Sequence, residues 1–450
     1  MLRKLIFFLL MGLAEMAAPP GGAPFAAVEL EQPVSGAVKF PDARICNVSQ
    51  FGAKGDSSTN NTLAIQAAID ACGDFPEGGI EVVGGTAGDV FASNPLWLRS
   101  NLTLRIEPGA TLQALAAGGN KTDEPFSWPW VYTKRESTMK WAYSGFLNGA
   151  RCTSMKDPLV GWDDCATWEK LENVAIDGGG TIDGNGGKWL ESDQGNLRPV
   201  MLDLLWIDGL SLQDVKLRRP GFWTTMPAFC NDVRITGLDI YTTGKNTDGL
   251  DPDSTWNVYI FNNTIDTGDD CVAIKAGRDW SGRMVNISTT NVLIEENNFK
   301  AGHGVSIGSE TSGWIQNVVT RNSNMSGTDR AVRIKSERGR GGGARNITYS
   351  SMSGGVDEAI SLTLKYEDGI IPTNNTATPE IHDLTISGLD LTAKKLYMTC
   401  DGLPESPITG VAMANVKVDG DGASNLDCSY CSGSWTAQDV SPDPCFDVEQ

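Results

Sequence analysis

One short pattern governs what this chain can become. A Gly, Asn or Asp followed by alternating apolar positions recurs as GLSLQDVKL from Gly209, DVRITGLDI from Asp232, NVYIFNNTI from Asn257 and NVLIEENNF from Asn291. It continues as NVVTRNSNM from Asn317, NITYSSMSG from Asn346, DLTISGLDL from Asp383 and GVAMANVKV from Gly410, with earlier copies at Asn101 and Asn173. Several steps are about 23 to 29 residues, and the longer ones, Asn257 to Asn291 and Asn346 to Asp383, imply loop insertions. Alternation is the periodicity of a strand, and a unit this short cannot bury its apolar side alone, so the copies must stack. Short strands, abundant Gly and Asn and this period predict an all-β parallel β-helix, a solenoid in which each coil rests on its neighbour. A leucine-rich repeat would need a Leu skeleton that is missing, and a β-sandwich would not place Asn in register, where it reads as an internal ladder of turn residues.

The ends of the solenoid are also legible. Val48 to Asp56 reads as a strand and a Gly turn, followed by a helix from about Thr62 to Cys72. Ile65, Ala68, Ile69 and Cys72 give that helix one apolar face, which suits the end cap of a solenoid. We expect one elongated domain over residues 40–425 and a Cys-containing tail over 426–450. Arg3 and Lys4, the apolar run Leu5 to Leu13 and the small residues Ala14, Ala17 and Ala18 read as a secretory signal peptide over 1–18, with cleavage as late as 27. The apolar run is too short to span a bilayer.

Export makes the ten cysteines readable as disulfide partners, with the pairing left open. Cys428 and Cys431 have the spacing of a zinc or redox pair, but a disulfide-rich tail is the preferred reading. Sequons such as those at Asn47, Asn262 and Asn346 permit glycosylation in a eukaryotic host. A net charge of −20 excludes non-specific binding to nucleic acid or anionic membrane, and an anionic substrate would need a locally basic groove. The segment Lys121 to Trp168 interrupts the repeat with Phe126, Trp128, Trp130, Tyr132, Trp141, Tyr143 and Phe146. It can wall a carbohydrate cleft or pack on its own aromatics, and the residues leave both readings open.

Chemistry concentrates between Asn246 and Cys271, where Asp248, Asp251 and Asp253 precede one strand-like segment and Asp269 and Asp270 follow it. Taken alone, such residues are ordinary solvated turns. The repeat changes that. Asp269 and His303 stand at the same offset from Asn257 and Asn291, and equivalent positions on stacked coils lie about 4.8 Å apart. Arg333 and Lys335 share one face of the next strand, and Asp248 falls on the coil before. Adjacent Asp269 and Asp270 would point to opposite faces of a regular strand, so joint action requires a departure from extended backbone there, with Gly268 at hand. Crowded carboxylates raise one another's pKa, which is how acid and base are separated.

NTD at 246–248, GDD at 268–270, GHG at 302–304 and RIK at 333–335, in that order, resemble the four signature motifs of glycoside hydrolase family 28, the polygalacturonase family. VSQFGAKGD, AIQAAIDAC, GGGTIDG at 178–184 and RRPGFWTTMP at 218–227 extend the resemblance over nearly the whole mature chain. It implies a right-handed single-stranded parallel β-helix that hydrolyses α-1,4-linked galacturonic acid in pectin with inversion and without cofactor or metal. By position Asp269 resembles the general acid, Asp248 with Asp270 the pair that activates water, and His303 the group that tunes the acid. Arg333 and Lys335 would grip a galacturonate carboxylate, with Tyr366 and Asn246 also at the substrate. The basic residues Lys275, Arg278, Arg283, Arg338, Arg340 and Arg345 complete an expected positive groove. No Cys precedes GHG as it does in many fungal members, so Cys271 is free or paired elsewhere. The longer inserts resemble the exo-acting and bacterial or plant-like branch. A monomer bound to pectic polysaccharide is expected. The alternatives are a rhamnogalacturonan or xylogalacturonan hydrolase, a calcium-dependent pectate lyase and a non-catalytic pectin-binding β-helix.

Overall fold

The computed structural model describes residues 44–75, 78–115, 128–155, 165–192, 194–366 and 377–448. The expected leader, Phe126 and the sequons at Asn120 and Asn374 lie outside them. The chain winds into a right-handed parallel β-helix whose strands form three ladders along one axis. The first ladder carries the repeat itself. Leu171–Asp177, Ile207–Gln213, Asn231–Thr236, Trp256–Phe261, Thr289–Glu295, Ile315–Arg321 and Gly343–Ser350 pair in parallel, one above the next.

Alternation explains the core. Val174, Leu210, Val233, Val258, Val292, Val318 and Ile347 stack in register inside the coil, and none is more than 1% exposed. Burying each such side chain contributes about 1.5–3 kcal/mol. The Asn positions of the pattern are turns in the left-handed region, as at Asn257, Asn291, Asn317 and Asn346 (φ 57°, 58°, 55° and 53°), a conformation Asn tolerates better than most residues. Their side chains form the expected ladder: Asn346 donates to Asn317, Asn317 to Asn291, Asn291 to Asn257 and Asn257 to Asn231, at 2.7 to 3.1 Å.

The helix Thr62–Cys72 closes the first coils and buries Ile65, Ala68, Ile69 and Cys72, as its apolar face requires. Four disulfides join Cys46 to Cys72, Cys152 to Cys165, Cys400 to Cys431 and Cys428 to Cys445. Cys428 and Cys431 therefore bond to different partners, and Cys230 and Cys271 are buried free thiols. Leu426–Ser429 and Cys431–Ser434 continue the parallel pairing of the preceding strands.

The third ladder positions the chemistry. It runs through Leu96–Trp97, Leu147–Asn148, Leu202–Leu205 and Thr225–Ala228, then bridges at Leu250 and Asp253. Beyond these come Val272–Ile274, Val305–Ile307 and the end of Asn324–Lys335. Inward residues Leu202, Leu250, Val272, Val305 and Val332 are fully buried, leaving their neighbours in sequence on the outer face.

Candidate active site

The acidic cluster is built by close approach of two turns. Gly249 donates its N–H to the Asp270 carbonyl at 2.9 Å, which sets Asp248 and Asp270 side by side on consecutive coils. A Cβ on Gly268 would lie 2.4 Å from the Gly244 carbonyl oxygen, so only glycine lets the turns meet. Ile265 pairs with Phe299 and Val272 with Val305, so the GDD coil takes one more residue than the next to cover the same arc. That extra residue is the departure from extended geometry that joint action requires. It turns Asp269 and Asp270 toward one imidazole: His303 Nδ1 lies 3.2 Å from Asp269 Oδ1 and 3.4 Å from Asp270 Oδ1. These contacts are ion pairs rather than aligned hydrogen bonds. On its other side His303 Nε2 is 3.3 Å from Asp329 Oδ2.

Asp270 is 1% exposed and saturated. Ser306 Oγ and Arg333 Nη1 each donate to Oδ1 at 2.7 Å, and Lys335 Nζ donates to Oδ2 at 2.8 Å. Burial would raise its pKa, but Lys335, His303, Arg333 and Lys275 together hold the carboxyl well below the usual range. Asp269 is held low in the same way: burial opposes ionisation, while His303 and the Asn246 N–H, 3.0 Å from Oδ2, outweigh it. The two carboxylates push His303 up to about 9, against the effect of burial. Asp248 behaves oppositely. Burial first, then the charge of Asp251, lifts it well above the usual carboxylate range. Asp251 is lifted as well, burial outweighing Lys275, whose Nζ is 3.6 Å away. Burial thus disfavours the charged form of both members of this pair.

The structure brings Asp248, Asp269, Asp270, His303, Arg333 and Lys335 together and sets Asn246 and Tyr366 at the edge of the group. Lys335 Nζ and Arg333 Cζ lie 4.8 and 5.7 Å from the Tyr366 ring centre. Arg198 donates to the Asn246 side chain at 3.0 Å. The expected basic groove needs correction. Arg338 pairs with Glu405, Arg340 with Asp279 and Glu337, Arg278 with Glu136, and Arg283 donates to the carbonyls of Gly339 and Arg340. Arg333 and Lys335 are themselves 7% and 4% exposed and engaged with Asp270. What remains is local: Asp269, Asp270 and the flanking Asp329 against Arg333, Lys335 and a protonated His303.

Sequence reasoning missed Glu310, Ser306 and Asp329, and it read Lys275 only as part of the basic groove. Lys275 had a signal, since Val272 and Ile274 point inward and alternation sends Lys275 to the face that carries Asp251. Its Nζ bridges Asp251 and Glu310, whose oxygen lies at 3.3 Å. Burial opposes ionisation of Glu310, yet Lys275 and other cations bring it down to about 2.

Asp269, Asp270 and His303 also place donor atoms within 4.8 Å of one another. They do not suit a divalent cation: both Asp270 oxygens are engaged and His303 holds its proton, whereas calcium takes six to eight oxygen ligands.

Above the coils that precede this cluster lies a hairpin from the aromatic segment, Trp130–Arg135 paired antiparallel with Thr138–Tyr143. Lys134 Nζ meets Asp253 Oδ1 at 2.6 Å, and Arg135 Nη2 meets Asp203 Oδ2 at 3.1 Å, with all four side chains buried. At its tip the Ser137 carbonyl accepts from the Arg278 N–H at 3.1 Å. Asp253, which had no role in the sequence, anchors the hairpin to the ladder.

The sequence model of glycosyl hydrolases family 28 matches residues 147–438. The endo-polygalacturonase of Pectobacterium carotovorum subsp. carotovorum is 30% identical over 389 residues, 82% of this chain and 86% of that one. The exo-poly-alpha-D-galacturonosidase of Dickeya chrysanthemi is 28% identical over 398 residues, 77% of this chain and 62% of that protein. The hyperthermoactive exopolygalacturonase from Thermotoga maritima superposes with a TM-score of 0.70 at 25% identity, covering 87% of this chain and 94% of its own. The chain is therefore a glycoside hydrolase, and it belongs to family 28.

Proposed function

We propose that this protein is an exported polygalacturonase that hydrolyses the α-1,4-galacturonosidic bonds of pectin with inversion, working from a chain end. The observation that carries the reading is the cluster of Asp269, Asp270 and His303 backed by Arg333 and Lys335, which sets cationic groups beside paired carboxyls where an anionic ring would be cleaved. Its relatives carry both endo and exo names, and the exo preference rests on the hairpin, whose buried ion pairs wall off the ladder beyond Asp253. Four disulfides support export.

In this reading Asp269 protonates the leaving oxygen. At rest it is ionised, and the proton sits on His303, 3.2 Å away. The proton passes from His303 through Asp269 to the leaving oxygen as the glycosidic bond breaks, while a galacturonate carboxylate is held beside Arg333 and Lys335. Asp270, kept ionised, is the charged member of the water-activating pair, and Asp248, whose charged form burial disfavours, is its partner. Inverting pairs typically stand about 6.5–9.5 Å apart, whereas the closest oxygens of Asp269 and Asp270 lie within 4.8 Å. Water therefore has to enter beside the pair rather than between its nearest oxygens.

Proton NMR of polygalacturonate digestion tests the stereochemistry: the β-anomer should appear first, and early α-anomer would rule out inversion. A time-resolved product profile should show monomer or dimer only, while early mixed oligomers would defeat chain-end action. Asp269→Asn should lose about 10²- to 10⁴-fold in kcat.

A further inference from the structure

On the far side of the hairpin from the acidic cluster lies a cavity of about 250 Å³. Its walls include Trp97, Trp130, Tyr132, Trp141, Arg151 and Asp203. Asp203 lies two coils before Asp251 on the third ladder, about 10 Å at coil spacing, and lines a separate cavity. Trp130 and Trp141 are 47% and 45% exposed, a large apolar area to leave in water without a use. Asp203 is the reverse, 2% exposed. Arg135 and Thr133 both donate to its Oδ2, while Oδ1 has no hydrogen-bond partner among the described residues. A buried acceptor left unpaired costs about 1–3 kcal/mol, which a ligand hydroxyl would recover.

We propose that this pocket binds a single neutral pyranose ring. Aromatic side chains meet the C–H face of a sugar, and Asp203 Oδ1 accepts from one of its hydroxyls. The volume suits one ring, being at the lower edge of ligand pockets, which start at about 300 Å³. The unpaired carboxylate oxygen selects against galacturonate, whose carboxylate would meet like charge. Arg151, the cation in the wall, already faces Glu169 at 3.9 Å. The site is thus distinct in charge preference from the cluster that is proposed to cleave the anionic chain, and it does not depend on that proposal.

Intrinsic tryptophan fluorescence of the full chain, titrated with methyl α-galactopyranoside, methyl β-xylopyranoside and sodium galacturonate, tests it. The expected result is a saturable change with at least one neutral glycoside that weakens at least tenfold in Trp141→Ala, and also in Asp203→Asn, where the amide oxygen keeps Arg135. Trp141 is exposed, so its loss should leave the melting temperature unchanged. Absence of any Trp141-dependent saturation with the neutral glycosides overturns the proposal. So does an equally strong Trp141-dependent response to galacturonate.

Discussion

Asp248 and Asp270 occupy matching places on consecutive coils, both almost fully buried, yet their surroundings shift them in opposite directions. Asp270 faces the coils that carry His303, Arg333 and Lys335 and stays ionised. Asp248 faces Asp251, and burial together with that neighbour raises it. A third carboxyl, Glu81 in the first coils, is buried with neither oxygen hydrogen-bonded, and burial alone lifts it well above the usual range. Burial favours the neutral acid in every case. What differs is whether the neighbouring coil brings a cation into register.

Removing a cation should break the contrast most strongly. Lys335→Met leaves Asp270 short of compensation and should cost about 3–5 kcal/mol in stability by denaturant unfolding, with activity down at least about 100-fold. If Lys335→Met unfolds at the wild-type midpoint, the cations do not set the charge of Asp270. Next in size, Glu81→Leu should stabilise the fold at pH 7 by about 1–3 kcal/mol, because it removes an unsatisfied buried group. The sign follows from its raised pKa. Above pH 4.5 the unfolded chain releases the Glu81 proton while the folded chain keeps it, so this group lowers stability by about 1.4 kcal/mol per pH unit until its folded pKa is reached. The variant should flatten the alkaline decline, and an unchanged pH profile would show that Glu81 is paired.

His303 sharpens the other side. Its folded pKa is raised to about 9, so its contribution is complete below about 6.5 and is lost as pH rises toward 9. kcat/KM should fall about tenfold per unit above pH 9, and His303→Gln should abolish that limb. The smallest effect is expected for Asp248→Asn, which puts a neutral isostere where burial already disfavours the charged carboxyl. Stability should change by less than about 1 kcal/mol, clearly less than in Asp270→Asn; equal losses would mean that the two carboxyls share one charge state.

The solenoid was legible because each coil repeats one local rule, apolar alternation after a left-handed turn. The same rule placed His303 beside Asp269 and put Arg333 and Lys335 on one face. Counting from coil starts did not reveal that Asp270 also meets His303, since that follows from one extra residue between Ile265 and Val272. The hairpin anchors were invisible for another reason. Lys134 and Asp253 are 119 residues apart, Arg135 and Asp203 are 68 apart, and one partner of each pair belongs to an insertion outside the repeat. The basic residues after Lys335 read as a groove because their partners lie outside the repeat, Glu405 in a turn and Asp279 at the start of the helix Asp279–Val285.

On the chain-end reading proposed above, in which the hairpin closes one end of the cleft, it also has a kinetic meaning. A polymer entering a channel with a fixed end wall cannot thread through it, and the freed unit is left between the wall and the remaining chain. That unit must leave by the entrance before the chain can advance. Each cut then requires the polymer to step back, which makes turnover distributive rather than processive, with product release as the gate and accumulated monomer as the brake.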